Sequence, residues 1–133
     1  MSFINDYLIF LSGIVCGIIL LQASVIAPTL FAVFEVENAG LFLRKVFPKF
    51  FLLIMFFSSL MLILVAISDS LGVSSFVLPV VNLIFSGVSY LVIPATNRSR
   101  DAGEENKFKA LHSLTVVLTI LILLLNIFWW WFA

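Results

Sequence analysis

The stretch IPATNRSRDAGEENKFKALHSL, residues 93–114, holds the chain's single histidine, His112, with Arg98, Arg100, Lys107 and Lys109 just ahead of it. A neutral imidazole in such a place can cap a helix, bond a neighbouring helix, meet lipid headgroups or ligate a haem. As a metal ligand it lacks company. A structural zinc site takes four ligands, and Cys16, the one cysteine, stands far away in an apolar run. A bis-His haem would need the second imidazole from a twofold-related copy. Nucleophilic catalysis has no support either, because Ser113 lies about 100° from His112 around a helix and no carboxylate falls inside an apolar run, so no triad follows. His112 is therefore the one candidate cofactor-binding residue. No catalytic residue, no metal ligand set and no enzyme activity are expected.

A second group of polar residues recurs at helical spacing inside apolar runs. Pro79, Asn82, Ser86 and Ser89 fall within about 80° of one another, and His112, Thr115, Thr119 and Asn126 within about 60°. Gly13, Cys16 and Gly17, with Ser24 and Ala27, share an arc of about 100° and include a small-xxx-small step, GIVCG, that lets helices approach closely. Two readings of these stripes stand side by side. Either the amides and hydroxyls bond across helices, at about 0.6 kcal/mol each, or they line a polar path near the bilayer midplane. Pro79 leans toward the path, since a proline inside a span frees a carbonyl. The run FFLLIMFFSSLMLILVAI offers only Ser58 and Ser59, which predicts that the second helix is the most lipid-exposed. Gln22 points almost opposite Gly13 and fits neither stripe. With His112 on the interior face, His112→Ala is expected to leave buried partners unsatisfied, at a cost of about 1–3 kcal/mol.

The elements that must position these residues follow from composition. The 133-residue chain is 63% hydrophobic and 11% charged, against about 45–50% and about 25% in soluble domains. Its outer face therefore needs a bilayer. Four runs, about residues 7–34, 47–67, 73–93 and 108–132, reach the roughly 20 apolar residues of a spanning helix. In lipid the backbone must satisfy itself, which selects helices. The prediction is an all-α membrane protein, one antiparallel four-helix transmembrane bundle. MSFIND lacks the positive region of a signal peptide, so the first run reads as a retained span.

All seven cations lie in or beside the first and third connections: Arg44, Lys45 and Lys49, then Arg98, Arg100, Lys107 and Lys109. The positive-inside rule assigns these connections to the cytoplasm, with both termini and the SDSLG turn outside. Arg44, Lys45, Arg98 and Arg100 are thus expected in cytoplasmic loops, and FWWWF in an outer aromatic belt. EVENAGLFLRKVFP suits either a short amphipathic helix on the inner leaflet or an irregular loop. A net charge of zero gives no reason to expect nucleic acid as a partner.

APTLF at 27–31, AG at 39–40, FP at 47–48 and FKALHSL at 108–114 resemble the transmembrane-protein-205-like membrane proteins, known in bacteria by a domain of unknown function, number 4149. The resemblance implies a compact four-span protein of the bacterial inner membrane, with Pro28, Ala39, Gly40, Pro48 and the His112 region as recurring features. It brings no activity with it. Similar sequences tend to carry an Asn about two turns after the histidine, where this chain has Thr119. Three functions follow as expectations. The first is a non-enzymatic bundle in the lipid bilayer, a small subunit or homo-oligomer that binds a partner protein or lipid. The second is a small-solute or metal-ion efflux protein, and the third a haem-linked redox enzyme using His112.

Overall fold

The computed structural model describes residues 3–132. The first rod comprises α1 (Phe3–Leu21), a π turn (Gln22–Ile26) and α2 (Ala27–Val33). The other three are α3 (Val36–Ala66), α4 (Val77–Asp101), which follows a 3-10 turn (Val73–Phe76), and α5 (Glu105–Phe132). All four are long and apolar enough to cross a membrane. The described residues contain no strand.

The helices outrun the apolar segments. EVENAGLFLRKVFP is neither a separate surface helix nor a loop, because α3 starts at Val36 and passes through Pro48 without a break. Residues 93–114 likewise resolve into the end of α4, a turn at 102–104 and the start of α5. Arg44, Lys45, Arg98 and Arg100 therefore sit on helix ends rather than in loops. Arg98 and Arg100 occupy the last turn of α4, where a cation complements the helix dipole. The turn is a Schellman cap: Glu104 N–H donates to Ser99 O at 3.0 Å and Gly103 N–H to Arg100 O at 3.2 Å. Gly103 has φ +71°, a conformation that favours glycine.

Pro28 explains the π turn. Its ring cannot donate to the carbonyl of Ser24 and would crowd it, so the preceding turn widens, and Ala27 N–H reaches back to Gln22 O. Such one-turn bulges redirect a helix. Their effect is visible in the packing, since α1 lies against both α3 and α5, whereas α2 lies against α3 alone. No Cα of α2 comes within 8 Å of α4 or α5. The rods otherwise close a ring in chain order, each beside its antiparallel neighbours.

Three apolar layers fill the ring. Leu8, Leu11, Met61, Val65, Leu78 and Trp129 form the first. Val15, Ile19, Phe50, Phe51, Ile54 and Ile122 form the middle one, and Leu30, Ala39 and Leu43 the smallest, at the cation-bearing end.

Two expectations about faces are overturned. The second span is not the most lipid-exposed: α3 buries eight residues, from Ala39 to Val65, whereas α5 contributes Ile122, Asn126 and Trp129. Ser content is a poor guide here because α3 packs by shape, through Phe, Ile and Met. The glycine stripe of α1 also faces outward. A Cβ built on Gly13 or Gly17 meets nothing within 4 Å, and the inward face is the opposite one, carrying Leu8, Ser12, Val15, Ile19 and Gln22. Gln22 opposes Gly13 because Gln22 points inward. Cys16 lies at the edge, its thiol 4.0 Å from Leu123 O. In the FWWWF segment Trp129 turns inward, and Phe128 and Trp131 turn outward; the side chains of Trp130 and Phe132 lie outside the described set.

Candidate functional site

Two polar assemblies occupy opposite ends of the bundle. The first joins α4 to α5. Asn126 Nδ2 donates to Asn82 Oδ1 at 3.0 Å and Asn82 Nδ2 to Asn126 Oδ1 at 3.3 Å, while Asn126 Nδ2 also reaches Ile122 O at 2.7 Å. Asn82 is fully buried. The pair lies within about two turns of the start of α4 and of the end of α5, in the half of the bundle that bears Asp6 and Asp69.

The rest of the predicted stripe does not join it. The Ser86 hydroxyl turns back to Asn82 O, and Thr119 Oγ1 and Thr115 Oγ1 donate to carbonyls of their own helix, those of Thr115 and His112. Buried Ser89 Oγ finds no protein partner, and neither do Ser12 Oγ and Gln22 Nε2. Pro79 stands in the first turn of α4, where a missing N–H removes little. It carries no support for a path.

The second assembly is the cleft left where α2 parts from α5. It encloses about 340 Å³ and is lined by all four rods. Phe31 of α2, Leu43, Phe47 and Phe51 of α3, and Ile93 of α4 make its apolar wall. Polar groups gather at the cation-bearing end: Arg44, Asn97, Arg100 and His112. No carboxylate lines it.

Local helix geometry sets that mouth. Phe108 and His112 are four residues apart on α5 and so share a face. Their rings stack at 5.7 Å with planes 5° apart. The Arg100 guanidinium lies 5.0 Å from the Phe108 centroid, within cation–π range. Arg44 forms a two-pronged ion pair with Asp101, its Nη1 3.1 Å from Oδ2 and its Nη2 bonded to Oδ1. Both residues lie beyond the apolar runs. The guanidinium holds the Asp101 carboxyl below its ordinary range, and the pair ties α3 to the end of α4. Arg44 engages both Asp101 oxygens, which offsets the negative charge that would otherwise repel an anion in the cleft.

A family model described as Domain of unknown function (DUF4149) matches residues 10–105. The chain belongs to this family. No curated protein and no solved structure matches the chain. The DUF4149 match takes in Asn82, Arg44, Arg100 and most of the cleft wall. It stops before Phe108, His112 and Asn126, so the FKALHSL motif lies beyond it.

Among the residues predicted from sequence, the structure brings together Asn82 with Asn126, and Arg44 with Arg100 and His112. It leaves Gly13 and Gly17 apart from every other helix. Sequence reasoning missed the Arg44–Asp101 link, which spans 57 positions, and the aromatic base that Phe108 gives to Arg100 and His112. Only the i, i+4 spacing of Phe108 and His112 hinted at the latter.

His112 is exposed, which corrects its assignment to the interior. The Asn126 face lies almost four turns further along α5. Among the described residues no group of three His, Cys, Asp or Glu could hold a metal ion. His112→Ala is accordingly expected to change stability in detergent by no more than about 0.5 kcal/mol, as for other surface positions. Thermal unfolding of the purified variant checks this.

Proposed function

We propose that the protein is a non-enzymatic membrane bundle that holds an amphiphile in the cleft between α2 and α5. One observation carries the reading: a 340 Å³ cleft that joins an apolar wall to a cationic mouth. Its volume falls in the roughly 300–1,000 Å³ range of ligand pockets, and its two-part chemistry matches a molecule with a polar head and an apolar body. Efflux through the bundle axis draws less support, because the Asn82 and Asn126 amides satisfy one another across the α4–α5 interface. A haem on the exposed His112 would need an imidazole from another copy. The bilayer is the first partner, with a homo-oligomer or a partner protein on the outward faces.

Native mass spectrometry of protein released in gentle detergent tests the reading. An adduct of lipid mass is expected on the wild type. It should be lost in Gly40→Phe, because Gly40 lines the cleft and a Cβ there meets nothing within 4 Å, so the ring has room to fill the space. Bare wild-type chains alone would sink the proposal.

The same reading sets the cation-bearing end in the cytoplasm of a bacterial inner membrane. In a Cys16→Ser background, Ala102→Cys should resist an impermeant thiol reagent applied outside and Ser70→Cys should react; both positions are exposed. The reverse pattern would invert the orientation. Ser99, although in the same region, is buried and would mislead as a probe.

A further inference from the structure

We infer that the cleft selects an anionic membrane lipid, its phosphate held by Arg100 with His112 and Asn97 beside it. The inference rests on the amphiphile reading above and adds the class of headgroup. Charge complementarity carries it. Two guanidiniums and an imidazole line the mouth, and no carboxylate does. Asp101, next to Arg100 in the chain, is engaged by Arg44 through both oxygens. Arg100 forms no ion pair among the described residues, and Phe108 supports its guanidinium from one side. A planar guanidinium held against a ring presents its remaining donors as a fork, the geometry that phosphate oxygens accept.

The apolar wall decides between a lipid and a free anion. Phe31 and Leu43 flank the charged end. Phe47 and Phe51 of α3, about one and two turns beyond Arg44, and Ile93 of α4, about two turns before Arg100, extend the apolar wall along the bundle. A small ion would leave that wall uncovered, whereas an acyl chain would cover it. The route in is lateral, because α2 stays more than 8 Å from α5 in Cα distance. A lipid could therefore enter from the leaflet without leaving it. The head would then rest at the helix ends, where Lys and Arg meet anionic headgroups.

The test uses the full chain in detergent, titrated with phosphatidylglycerol or with phosphatidylcholine of the same acyl chains, with bound lipid counted by native mass spectrometry. The wild type should retain phosphatidylglycerol at about one-tenth the concentration needed for phosphatidylcholine, a difference typical of one charge-assisted contact. Arg100→Gln should erase that preference and leave phosphatidylcholine binding as it was. Arg98→Gln, outside the cleft lining, should keep the preference. Inorganic phosphate should not displace the lipid.

Equal retention of the two lipids by the wild type would overturn the headgroup inference and leave the amphiphile reading standing. Retention of neither would overturn both. A preference that survives in folded Arg100→Gln, or displacement of phosphatidylglycerol by phosphate, would overturn the assignment to Arg100 or to a lipid. If Arg100→Gln does not fold, the wild type in rising salt serves instead. A charge-based preference at an open mouth weakens between about 0.05 and 0.5 M salt, and one that holds constant would count against the inference.

Discussion

Ile54→Ala is expected to destabilise the bundle by about 2–5 kcal/mol, the range for truncating a large aliphatic side chain in a packed core. Ile54 is fully buried, in the layer that joins Val15 and Ile19 of α1, Phe50 and Phe51 of α3, and Ile122 of α5. Removing its outer carbons opens a void bordered by three rods, and aromatic neighbours of that size relax only in part. Leu52→Ala and Leu53→Ala provide the contrast. They are 47% and 42% exposed, and lipid tails can replace the methyl groups they lose. Denaturation in mixed micelles, followed by circular dichroism, should separate Ile54 from the two leucines. Similar losses at all three positions would mean that α3 faces lipid after all.

Asn82→Ala is expected to cost about 1–3 kcal/mol, because it leaves the Asn126 amide buried with one partner fewer. The double variant Asn82→Leu with Asn126→Leu should be less damaging than the sum of the singles. Once both amides are gone, no polar group remains to be satisfied between the helices. A double-mutant cycle in detergent measures that coupling. Its size bears on the efflux alternative, since a strongly coupled, mutually satisfied pair has little left to offer a passing solute. Strictly additive losses would show that the two amides act apart.

How much of this was legible beforehand depended on which signal carried the information. The four spans follow from hydropathy, which the bilayer makes nearly obligatory, and membrane helices satisfy their own backbone wherever they lie. Their ends were less legible. Charged residues such as Arg44 and Arg98 stop an apolar window but not a helix, and in water beyond the membrane the hydrogen-bond ladder continues. The Asn82 and Asn126 pairing was readable in part, since lipid offers an amide no partner and each must seek one on another helix.

The inward faces were harder. Small residues permit close packing without requiring it, so GIVCG fits an outward stripe as well as an inward one. Phe50, Phe51 and Ile54 bear no sign in sequence that distinguishes core from lipid contact, since both surroundings are apolar. The cleft was illegible for a different reason. It arises where Pro28 and the π turn let α2 part from α5, and a change of helix direction involves residues distant in sequence.

The distribution of charge has an electrical consequence that the neutral total conceals. All seven cations and five of the seven acids belong to one end of the bundle, which leaves Asp6 and Asp69 at the other. The folded protein is thus polarised along its axis, with an excess of two positive charges facing an excess of two negative ones. In a cell whose interior is negative, each elementary charge carried across 100 mV represents about 2.3 kcal/mol of work. With the cation-bearing end in the cytoplasm, as proposed above, turning the bundle over would move both excesses against the field together. In that proposed orientation an energised membrane would hold the protein by voltage as well as by topogenic signals, and collapsing the voltage after insertion would remove only the first of these two holds.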